Sequence, residues 1–174
     1  MRVNNSFLTE SICSKLKNIP EELFKDTKDL LEIDLSNNNI QNLPPKLFHK
    51  IKNVDVIKLK GNFLQSIEYS PFSRANKLTI LDISNNNIQT IDRRAFSQLR
   101  EIETLNLSNN QINYTDETEP DWSAMTNLKE FILNNNNIST NHIPFSQASP
   151  YEMLVIVLNS ADFRQDKHNC FVEF

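Results

Sequence analysis

Side chains able to do acid–base, nucleophilic or metal chemistry are few here and widely scattered. His49, His142 and His168 stand singly, and Cys13 and Cys170 lie near opposite ends of the 174-residue chain. His168 and Cys170 together offer two ligands where zinc takes three or four. As a base–nucleophile pair they would have to converge in a shielded site, and nothing around them supplies one. The run Asp116-Glu117-Thr118-Glu119-Pro120-Asp121 has the oxygen density of a cation site, but it also reads as a solvated loop. Gly61 is the only glycine, so a phosphate-cradling loop, a dinucleotide fingerprint and a nucleophile elbow are all excluded, since each needs several. No catalytic residue, metal site or cofactor is therefore expected. Eighteen basic against 22 acidic residues give a net charge of −4 with no basic block, which argues against nucleic acid. No apolar run of about 18 residues exists to span a bilayer. The start, Met1 to Ser6, lacks the apolar stretch of a signal peptide.

What must position any functional side chain is a repeat. The pattern L-x-x-L-x-L-x-x-N-x-L, its first Leu taken as position one, begins at Leu30, Val54, Leu78, Ile102 and Leu128, in steps of 24, 24, 24 and 26. Positions four and six give Ile33 and Leu35, Ile57 and Leu59, Leu81 and Ile83, Leu105 and Leu107, Phe131 and Leu133. Position nine is Asn38, Asn62, Asn86, Asn110 and Asn136. The second half of each unit repeats Phe24, Phe48, Phe72 and Phe96, and Trp122 takes that slot once a two-residue insertion is allowed. Ile19, Leu43, Ile67 and Ile91 mark a further apolar column, followed by Pro20 and Pro44 in the first two cases.

These residues resemble the leucine-rich repeat family, and the 24-residue period with its Phe resembles the typical extracellular subclass. Cys13 to Phe24 looks like the end of a cysteine-bearing N-terminal cap, and the whole is similar to an ectodomain segment of an insect Toll-like receptor. The physics agrees independently. Positions three to five form a short strand whose alternation turns four and six inward and three and five outward. One coil cannot cover its own apolar side, so coils stack around a shared core. A buried carboxamide both donates and accepts, so the position-nine Asn reads as a structural residue that satisfies turn backbone along the stack. The expected fold is a curved α/β solenoid with a concave parallel sheet and convex loops or short helical turns. Residues 1–29 read as an incomplete cap and first coil, 30–152 as five repeats, and 153–174 as a degenerate last coil and tail.

At the ends, Phe7, Leu8 and Ile12 begin a capping strand, and Met153–Leu158 forms an uncovered edge through which copies could self-associate. Cys13 and Cys170 lie six coils apart, or ~29 Å at strand spacing, against the ~7 Å a disulfide tolerates. No intramolecular bond is expected.

Function should then sit on the outward positions. Position three gives Glu32, Val56, Ile80, Thr104 and Glu130; position five gives Asp34, Lys58, Asp82, Asn106 and Ile132. Asp34, Lys58 and Asp82 form an alternating-charge ladder, and Val56 and Ile80 an outward apolar pair beside it. With Lys60, these six residues are the candidate concave site for a protein ligand or co-receptor; Ile132, Val155 and Val157 form a second apolar group that edge capping explains equally well. Four Asn-x-Ser/Thr triplets at Asn4, Asn106, Asn113 and Asn137 are glycosylation candidates, and a glycan on Asn106 would shield the concave face. The resemblance implies a non-enzymatic recognition module of a cell-surface or extracellular receptor, with innate immune or developmental signalling through segments beyond this one. A cytoplasmic repeat scaffold, favoured by the scarce cysteines, and a purely structural fragment remain alternatives.

Overall fold

Short strands separated by turns follow from coils that spend only three residues on the sheet before the Asn-rich corner. The computed structural model describes residues 16–27, 29–69, 71–113, 115 and 117–138, and the backbone of two further strands, 7–9 and 155–157. The strands are β1 (Phe7–Thr9), β2 (Glu32–Asp34), β3 (Val56–Lys58), β4 (Ser66–Ile67), β5 (Ile80–Asp82), β6 (Thr90–Ile91), β7 (Thr104–Asn106), β8 (Glu130–Ile132) and β9 (Val155–Val157). Seven of them make one parallel sheet in the order β1-β2-β3-β5-β7-β8-β9, and β4 pairs with β6 in a second, two-stranded sheet. Register is coil on coil: Glu32 opposes Val56, Val56 opposes Ile80, Ile80 opposes Thr104, and Thr104 opposes Glu130. The expected stack of equivalent side chains is thus present. The segments opposite the sheet are turns, and none of the described residues is helical.

The core is continuous from coil to coil. Ile33, Ile57, Leu81, Leu105 and Phe131 are fully buried, and so are the position-six residues Leu59, Ile83 and Leu107. The position-six N–H groups extend the ladder past the strands: Leu35 donates to the Lys58 carbonyl, Leu59 to Asp82, Ile83 to Asn106 and Leu107 to Ile132 (2.7–2.9 Å). On the far side, the rings of Phe24, Phe48, Phe72, Phe96 and Trp122 form one column with centroid separations of 5.9, 5.6, 6.4 and 5.7 Å. Such ring pairs contribute about 0.5–1.5 kcal/mol each beyond their burial.

The corner is closed by two adjacent residues with different tasks. Position eight turns through left-handed backbone, with φ of 57° at Asn37, 69° at Gly61, 54° at Asn85, 54° at Asn109 and 57° at Asn135. Asn and Gly tolerate that region best. Position nine points inward. The Asn62 carboxamide donates to the Leu35 and Leu59 carbonyls (both 2.9 Å) and accepts from the Ile40 N–H (3.1 Å). Asn86, Asn110 and Asn136 repeat this: each bonds a carbonyl of its own coil, a carbonyl of the preceding coil, and a preceding-coil N–H. The structural reading of these asparagines therefore holds.

Candidate functional site

The outward residues of β2, β3 and β5 put five of the six candidates on one concave patch, and Lys60 follows two residues after β3. Strand pairing sets Val56 beside Ile80 and Lys58 between Asp34 and Asp82. Ile80 is 37% exposed, Lys60 is exposed, and Val56 is half-buried. The charges connect differently from the expected ladder. Lys58 Nζ reaches diagonally to Glu32 Oε1 at 2.6 Å, which is its only ion pair within 4.0 Å among the described residues. That hydrogen bond is the largest cause raising the Lys58 ammonium above its ordinary pKa of 10.5; the charges of Glu32, Asp34 and Asp82 add to it, and slight burial opposes it.

Asp34 and Asp82 instead serve the local turn. Each carboxylate accepts the N–H two residues on, Ser36 and Ser84 respectively, at 2.9 Å. Asn106 does the same with the Ser108 N–H (3.0 Å) and also accepts the Ser108 hydroxyl (2.7 Å). This is an Asx turn, in which the side chain replaces a ladder partner lost at the strand end. The repeated Asp/Asn-x-Ser triplet was the sequence signal for it. These residues keep charge or polarity on the concave face while their oxygens are committed to the fold.

Leu31 was missed by the sequence argument. It is 41% exposed, just before β2, and its carbonyl accepts the N–H groups of Asp55 and Val56. Leu31 thus adds an exposed apolar side chain one residue before the strand row in which Val56 opposes Ile80. Its signal was legible: position two is Asp55, Thr79, Glu103 and Lys129 in the other coils. Lys129 and Glu103 pair across that column at 2.9 Å.

Of the glycosylation candidates, Asn113 and Asn137 are exposed on the flank beyond the corner, Asn106 is half-buried on the concave face, and Asn4 lies outside the described residues. Cys13, Cys170, His142 and His168 also lie outside them. His49 Nε2 is 3.0 Å from Ser73 Oγ on the convex side. The end of the acidic stretch is tied back to the preceding coil, where the Asp121 N–H donates to the Arg93 carbonyl (2.7 Å). Hydrogen bonds from Ser123, hydroxyl first, hold the Asp121 carboxyl below its usual range. Among the described residues no cluster of three or more His, Cys, Asp or Glu could hold a metal ion. No helix among them is long and apolar enough to cross a membrane.

Comparison with known proteins agrees with this architecture. No curated protein matches the sequence. Solved structures do. The APL1 leucine-rich repeat domain is 26% identical over 82% of this chain and 36% of its own, with a TM-score of 0.66. The Toll–Spätzle complex, described as a hub in Drosophila development and innate immunity, matches at 28% identity over 80% of this chain and 23% of its own, with a TM-score of 0.61. A TLR13–ssRNA13 complex matches at 23% identity over 83% and 20%, with a TM-score of 0.70, a likeness of fold alone. The chain thus spans well under half the length of each of these three solved chains. Family models described as leucine-rich repeat match residues 13–64, 52–112 and 101–125. With its coils, asparagine ladder and ring column in the same register, the chain belongs to the leucine-rich repeat family.

Proposed function

We propose that the chain is a protein-recognition segment of an extracellular receptor or adhesion-type protein, and that it docks its partner on the concave face of β2, β3 and β5. The observation that carries this reading is the outward apolar pair Val56–Ile80, with exposed Leu31 one residue before the neighbouring strand, beside a sheet face that is otherwise polar over these coils. Exposed apolar groups beside fixed charges are what a protein interface uses, an anchor with a polar rim. The scaffold holds them in register before binding, which lowers the ordering term of association. Lys58 and Lys60 favour a partner carrying a carboxylate opposite them. The receptor neighbours support the extracellular assignment, and N-glycosylation at one of the four sequons would accompany it.

Two measurements test the reading. Chain isolated from its natural source should gain gel mobility on enzymatic deglycosylation; an unchanged band favours the cytoplasmic scaffold. Proteins captured from the surrounding fluid by the wild-type chain should be lost to Ile80→Asp at unchanged melting temperature. Equal capture by both would remove the concave patch.

A further inference from the structure

The flank that follows the asparagine corner carries a chemistry that the fold does not require. Segments 37–42, 61–66, 85–90, 109–114 and 135–140 contain no Asp, Glu, Lys, Arg or His, although 23% of the chain is charged. Position eight is accounted for by its left-handed backbone, nine by the buried ladder and eleven by the core. Positions ten and twelve are not: Asn39, Phe63, Asn87, Gln111 and Asn137, then Gln41, Gln65, Gln89 and Asn113, are all exposed. Any charge would be tolerated there, as Lys and Glu are at exposed positions of the concave and convex sides.

Both columns are held in line by backbone. Phe63 donates its N–H to the Ile40 carbonyl, Asn87 to Leu64, Gln111 to Ile88 and Asn137 to Ile112 (2.9–3.0 Å), while Gln89 donates to Gln65 (2.9 Å) and Asn113 to Gln89 (3.3 Å). Carboxamides also bridge coils directly: Gln89 Nε2 to Gln111 Oε1 at 3.3 Å and Asn135 Nδ2 to Asn109 Oδ1 at 2.7 Å. Among them lies an open groove of about 610 Å³, lined by Gln89, Thr90, Gln111, Asn113, Asn135 and Asn137 among others, all uncharged. That volume falls within the ~300–1,000 Å³ of small-molecule sites. At the head of the row Phe63 is 51% exposed, two coils or ~10 Å from Gln111 at strand spacing.

A regular array of neutral groups that each donate and accept, with one bare aromatic ring, complements a ligand dense in uncharged hydroxyls and carrying apolar C–H faces. A polyanion would meet no cation here, and a charged peptide no counter-charge. We propose that this flank binds a neutral oligosaccharide, with the Phe63 ring against one pyranose face and the Gln89 and Gln111 carboxamides hydrogen-bonded to hydroxyls of the sugar units that follow. This site is separate from the concave patch and does not depend on it.

The test uses the chain produced in a host without N-glycosylation, titrated by protein-observed NMR with uncharged hexasaccharides of glucose, mannose and N-acetylglucosamine, and with heparin hexasaccharide as the anionic control. At least one neutral hexasaccharide should bind with a Kd below about 1 mM, with shifts confined to positions ten and twelve. Phe63→Ala and Gln111→Ala should each weaken it about tenfold or more at unchanged melting temperature. The proposal is overturned if no neutral hexasaccharide binds at about 5 mM, if heparin binds better, or if Phe63→Ala leaves affinity intact. It is also overturned if the flank shifts with protein concentration alone, which would make it a contact between copies. Complete glycosylation of Asn113 or Asn137 in naturally produced chain would likewise place a covalent glycan where the ligand should sit and end the proposal.

Discussion

The concave sheet and the corner flank run through the same five repeats, and they differ in what they allow. On the sheet, positions three and five alternate with the core positions, and position three varies freely: Glu32, Val56, Ile80, Thr104 and Glu130 fill its column. At the corner, two successive residues are fixed by backbone conformation and by buried hydrogen bonds, and both tasks suit asparagine. The comparison separates rigidity from recognition. Equal rigidity comes from the ladder and the ring column, whereas recognition comes from outward positions that the ladder leaves open.

Removing the shared scaffold should damage both regions most. Phe72→Ala takes out the middle ring, with neighbours at 5.6 and 6.4 Å, and should lower stability by about 3–5 kcal/mol in denaturant melts. Asn86→Leu orphans the Leu64 N–H and strips one of two carboxamide donors from each of the Leu59 and Ile83 carbonyls, which Asn62 and Asn110 still hold, for a loss of about 1–3 kcal/mol. A loss under about 1 kcal/mol would mean that water replaces the carboxamide and that the corner is not dry.

Gly61→Ala probes the corner alone. The new Cβ would lie 2.6 Å from Asn37 Oδ1, on an exposed side chain that can rotate away, so the left-handed φ of 69° dominates and about 1–2 kcal/mol is expected. A neutral result would show that the corner relaxes and that position eight is less constrained than position nine.

On the concave side, Lys58→Glu should weaken partner binding about tenfold while changing stability by no more than about 0.5–1 kcal/mol, because an exposed pair contributes little. The smallest effect is titrimetric. Followed by NMR, Lys58 should lose its proton above pH 10.5, and Glu32→Gln should bring the midpoint down. Because the folded pKa is raised, the pair's contribution is complete below the unfolded pKa and disappears as pH rises through the folded value.

Legibility followed periodicity. Inward positions, the buried asparagines and the ring column could be read because each recurs once per coil, and Trp122 was recovered by allowing one insertion. Lys58 was assigned to Asp34 and Asp82 from register alone; its side chain is long enough to reach the next position on the neighbouring strand, and both aspartates already hold serine N–H groups. Leu31 escaped because attention to repeating residues hides the one coil that departs from its column. The neutral flank escaped for the opposite reason, since Asn-rich repeats read wholly as structure until exposure separates positions ten and twelve from nine.

By itself the sequence determined that equivalent residues pile into columns and which of them face inward, because a strand's alternation and a coil's period admit one arrangement that buries the apolar set. Only the tertiary structure decided which outward groups meet. Contacts between coils depend on side-chain reach and on hydrogen bonds already committed within a coil, and neither is encoded in spacing.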